Sequence, residues 1–164
     1  MQIKTRLAVA ASLAIVFCAA QAQAVRTEKN ISLELANRIA SETVAACAAN
    51  GYNVAAVVVD RAGVVRVAQR ADNAGPHTVA AAERKAFTSA SSKAPTKAML
   101  ENSQKNPGAA TLGDIPGFLL LGGGLPIKAG NDVIGAVGVG GAPGGHLDEQ
   151  CAQTAIDKFK ADLS

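Results

Sequence analysis

The chain has 164 residues, with 16 basic and 13 acidic side chains, two histidines, three cysteines and no tryptophan. Its charge excess is small, and one tyrosine and four phenylalanines are its whole aromatic complement. It therefore offers neither a basic surface for a phosphate backbone nor platforms on which bases stack, and nucleic acid is excluded as a partner.

The first segment reads as a secretory signal. Lys4 and Arg6 are followed by an apolar run from Leu7 to Ala20, and then by small Ala22 and Ala24 flanking a cleavage point. The run falls short of the about 20 residues that a membrane span needs. Cleavage after Ala24 is expected, placing residues 25–164 in the periplasm or outside the cell with no membrane anchor. Phe17 stands before Cys18, where lipid attachment requires a small residue. Loss of the signal takes the basic residues from 16 to 14 against 13 acidic ones, a net charge near +1. The remaining length suits one domain.

Ser32 to Ala49 is rich in helix formers, with Leu35, Ala36, Ile39, Ala40, Thr43 and Cys47 on one stripe and Asn50-Gly51 as its stop. Val54 to Val59 is a continuous, mostly β-branched run, as a central strand requires. Asp60-Arg61-Ala62-Gly63 has the first and last residues of a type I turn, and Val64 to Arg70 alternates, so a hairpin is predicted. Gly75-Pro76 introduces a second helix from His77 to about Ser92. Pro95 interrupts it, and a short helical piece through Met99 to Glu101 is expected. Ser103 to Pro116 reads as a long loop. Phe118 to Leu121, Leu125 to Lys128 and Val133 to Val139 read as strands, and Leu147 to Leu163 as a final helix with Cys151, Ala152, Ala155 and Phe159 on one face. The predicted class is α+β: an antiparallel sheet of about five strands covered by helices, in the order α-β-β-α-β-β-(β)-α.

Familiar catalytic patterns are missing. Gly138-Val139-Gly140-Gly141-Ala142-Pro143 lacks the last glycine of a dinucleotide fingerprint and follows a late strand. Gly135, Gly138 and Gly140 are read instead as places of close backbone approach, and Gly144-Gly145 as the turn into the last helix. His77 and His146 have no nucleophile elbow or zinc pattern beside them, and no catalytic residue is assigned. His146, next to Asp148 and Glu149, reads as part of a helix start where acidic side chains cap free amides. Cys47 and Cys151 form either one disulfide or two buried thiols.

His77 is the most suggestive side chain. Val79, Ala82, Ala86, Phe87 and Ala90 form the apolar stripe of its helix, and His77 lies nearly opposite Val79, on a face that continues through Ala80, Ala81 and Arg84. Two alanines beside an imidazole leave room for a flat ligand, and Arg84 can meet a carboxylate. The helix start favours the neutral ring that iron requires. The plain alternative is an exposed histidine at a helix start.

Five segments carry a resemblance. Gly51 to Gly63, Asp72 to Thr78, Ala82 to Thr88, Gly122 to Ile127 and Val133 to Gly141, in this order, resemble the GlcG/HbpS haem-binding family over nearly the whole of residues 25–164. The resemblance implies a profilin-like sandwich, a homo-oligomer (often an octamer) and haem or iron binding. On that expectation His77 is the axial ligand to haem iron, with Arg84 or Lys85 available to the propionates. Two other readings stand beside it. One is a non-haem scaffold or small-acid binder working through Ser103 to Pro116, and the other is an enzyme that breaks haem down oxidatively.

Overall fold

The computed structural model describes residues 25–164, so the predicted signal peptide, with Cys18, lies outside the described residues. Helix α1 spans Leu33–Ala49; Ser32 caps it, its side chain accepting from the Leu35 amide, and Asn50 ends it. The hairpin β1 (Ala55–Asp60) and β2 (Val65–Arg70) turns where Asp60 Oδ1 accepts from the Ala62 and Val64 amides. Helix α2 (Thr78–Ser92) is followed by α3 (Thr96–Lys105), then strands β3 (Gly124–Ala129) and β4 (Asp132–Gly140), and last α4 (Gly145–Lys158). The α+β class and the element order are those expected.

Among the described residues the sheet has four strands, ordered β2-β1-β4-β3 and antiparallel throughout. Strand alternation sends Val54, Val58, Val137 and Val139 to one face, where they pack with Leu35, Ile39 and Cys47 of α1 and Cys151, Ala152 and Ala155 of α4. Ala55, Val57, Val59 and Ala136 face the other way and meet Ala82, Ala86 and Ala90 of α2. The fully buried α2 residues in that contact are alanines, with half-buried Val79 beside them, so the helix axis rides close to the sheet. Cys47 and Cys151 are joined in a disulfide, their Cα atoms 5.3 Å apart, which ties the end of α1 to the second turn of α4.

Phe118 to Leu121 is not the fifth strand that its apolar run suggested. Its backbone polar groups are taken up by helix side chains and local turns and not by a ladder: Arg84 donates to the Phe118 carbonyl, the Leu119 amide donates to Thr88 Oγ1, Thr96 Oγ1 donates to the Leu121 carbonyl, and the Phe118 and Leu121 amides donate to the Ile115 and Leu119 carbonyls. The segment predicted as a loop from Ser103 also differs. α3 runs to Lys105, longer than expected, and two 3-10 turns, Pro107–Ala109 and Leu112–Asp114, follow it. The last helix stops at Lys158, where a 3-10 turn, Lys160–Leu163, replaces its predicted final turn.

Candidate functional site

His77 precedes the first residue of α2 and is exposed; its side chain makes no capping hydrogen bond. The ring lies over Gly75, where an added Cβ would come within 2.9 Å of Cε1 and 3.0 Å of Nδ1. Gly75 therefore gives the ring its seat. Beside the ring is a cavity of about 270 Å³ lined by His77, Ala81, Lys85, Leu121, Gly140 to Gly145 and Asp148. His77, Ala81 and Lys85 are spaced by four residues each, which puts them on one stripe of the helix.

The other two predicted site residues differ in their surroundings: Lys85 is buried and Arg84 is exposed. Lys85 is buried, with its Nζ 2.8 Å from Asp148 Oδ2 and donating to the Val139 carbonyl at 2.7 Å. It is not free to meet a propionate. The helical phase already contained the signal, because Lys85 lies three residues after Ala82 and four before Ser89, within the buried arc. Arg84 is exposed but turns away from His77; it donates to the Phe118 carbonyl at 2.5 Å and lines a separate hollow of about 210 Å³ with Glu83, Phe87 and Gly117.

Asp148 and Glu149 depart from the capping role expected of them. Gly144 occupies the cap position of α4, without a side-chain bond. Asp148 Oδ1 instead accepts from the Ala142 amide at 3.1 Å, and Glu149 Oε1 accepts from the amides of Lys97 and Gly123. Burial holds the Asp148 carboxyl above the usual carboxylate range, outweighing the Lys85 charge and the hydrogen bonds from Lys85 and Ala142, which pull it down. His146 is exposed, its ring over Gly144. Among the described residues no cluster of three or more histidine, cysteine or acidic side chains is placed to hold a bare metal ion.

A larger open groove, about 500 Å³, runs along β3 and α4 between Lys128, Asp157 and Lys160. It contains none of the predicted site residues, and its mixed charge selects no ligand. The His77 cavity is smaller, but it joins an unpaired imidazole position to an apolar stripe and a buried ion pair, and is the better candidate. Its volume lies below the roughly 300–1,000 Å³ of enclosed small-molecule pockets.

The model of a family described as haem-degrading, HbpS-like proteins matches residues 31–157. The crystal structure of a double mutant of HbpS from Streptomyces reticuli is 38% identical, covers 93% of this chain and 99% of its own, and superposes with a TM-score of 0.79. A second crystal structure of HbpS is 40% identical over 86% of this chain and 98% of its own, with a TM-score of 0.79. The Klebsiella pneumoniae protein ORFY is 29% identical over 85% of this chain and 97% of its own, with a TM-score of 0.80. No curated protein matches the chain.

Proposed function

The chain belongs to the family of haem-degrading, HbpS-like proteins, and on that premise we propose that it is an exported haem-binding protein that holds haem across the mouth of the His77 cavity. The observation that carries the reading is the exposed His77 ring, seated on Gly75 beside a cavity that Ala81 also lines. Bound haem supplies a redox-active iron centre. The protein's part would be to offer the His77 imidazole, to orient it, and to exclude water on the side of the haem that it covers. In this reading neither Lys85, already paired with Asp148, nor Arg84, which lines another hollow, would be assigned to the propionates.

Export and assembly belong to the same proposal. The order of basic, apolar and small residues in 1–24 supports a signal peptide, and a disulfide suits the oxidising compartment to which it would lead. A site that covers one face of a porphyrin favours a homo-oligomer in which a second copy covers the other.

The test is a haem titration of residues 25–164, followed by the Soret band, in parent and His77→Ala. The expected result is a saturable shift in the parent and an affinity at least about tenfold weaker in the variant, the scale of losing an ordered metal-site group. A parent with no saturable shift would refute haem binding, and equal affinities would remove His77 as the ligand. Adding a reductant in the presence of dioxygen separates holding from breakdown: a persistent Soret band means holding, and progressive bleaching with release of iron means turnover.

A further inference from the structure

The charged pair beneath the His77 cavity joins four segments of the chain. Lys85 of α2 donates to Asp148 of α4 and to the carbonyl of Val139 in β4, and Asp148 in turn accepts from the Ala142 amide. Gly123 closes the arrangement: a Cβ there would stand 2.7 Å from Lys85 Nζ and 3.0 Å from the Asp148 Cβ. The two side chains are 2% and 4% exposed.

Such a pair is a poor means of stabilising a fold, since taking both charges out of water offsets their attraction, and apolar replacements often fold as well or better. Its consequence lies in what it holds. Gly140 to Gly145 contains four glycines, which impose little conformational restraint of their own. This segment also lines the cavity that His77 lines. The Val139 and Ala142 contacts pin it at both ends of its first half, and His77 sits on the same helix stripe as Lys85.

We infer that Lys85 and Asp148 are positioning residues, whose buried pair fixes the glycine-rich wall Gly140 to Gly145 of the cavity that His77 lines, so that a ligand meets a preformed cavity. The inference rests on the haem reading for its ligand but not for its geometry.

The experiment uses residues 25–164 as parent, Lys85→Met/Asp148→Leu and His77→Ala, with three readouts: thermal melting, amide hydrogen exchange without haem, and the Soret titration. The double variant is expected to melt cooperatively near the parent temperature. Its amides from Gly140 to Asp148 should exchange at least about tenfold faster as the wall opens locally. Its haem affinity should fall by about 10–100-fold, with a displaced Soret maximum, as found when groups supporting a metal site are removed. A folded double variant with parental exchange in the wall overturns the inference, and so does one with faster exchange but parental haem affinity and spectrum. Failure of the double variant to fold also overturns it, because the pair would then hold the fold together and not the wall. If the parent binds no haem, the haem reading fails, and wall exchange alone decides the positioning role.

Discussion

Replacing both Cys47 and Cys151 by alanine is expected to destabilise the folded chain by about 2–5 kcal/mol. The bond spans a sequence separation of 104 residues, so its loss releases a large loop in the unfolded ensemble; the loop-closure account gives about 4.7 kcal/mol for a loop of about 100 residues as an upper figure. Native contacts are lost as well, because both side chains are buried between α1, α4 and the sheet. At about 2–4 °C per kcal/mol for a chain near this size, the melting temperature should drop by roughly 10 °C. Thermal melts with and without reductant, set beside the double alanine variant, measure this. A variant that melts with the oxidised parent would mean that the 18% charged, alanine-rich chain derives its stability from core packing alone.

Gly138→Ala is expected to cost the fold about 3 kcal/mol or more, the upper end of overpacking penalties. The new methyl group would lie 2.0 Å from the Ala82 carbonyl oxygen and 2.5 Å from the Ala86 nitrogen. Both are helix backbone, so no side chain can rotate aside. α2 would have to lift from the sheet, taking His77 with it and stretching the Lys85 contact to Val139. Gly140→Ala provides the scale: its methyl group would meet the Thr78 carbonyl oxygen at 3.1 Å, which a shift of a few tenths of an ångström relieves. Urea unfolding of the two variants should therefore give a large loss for Gly138→Ala and a small one for Gly140→Ala. Equal losses would show that the close approach of the helix at Gly138 is not what sets the cost, since alanine is otherwise the better strand residue.

The same glycines show how far the sequence can be read. Gly138 and Gly140 were legible as places of close approach because they interrupt an otherwise apolar strand, but the strand could not say that α2 lies over them. The His77 site divides in the same way. The spacing of His77 and Ala81 follows from helical phase alone, whereas the exclusion of Arg84 depends on Phe118, 34 residues later, offering its carbonyl. Phe118 to Leu121 looked like a strand because four apolar residues carry no record of which groups will satisfy their amides and carbonyls. Thr88 and Thr96, remote in sequence, settle that.

By itself, the sequence determined the class and order of elements, the stop at Asn50, the hairpin turned by Asp60 and the exposed His77 at the start of α2. Each depends on hydrogen bonds or side-chain periodicity within a few residues, where neighbours along the chain are neighbours in space. Tertiary structure alone decided that Lys85 is buried against Asp148, 63 residues away, that Cys47 reaches Cys151, and that four strands and not five form the sheet. Those outcomes depend on which charges, thiols and backbone groups the folded layers bring within a few ångströms, and burial then forces each polar group to take the partner it finds there.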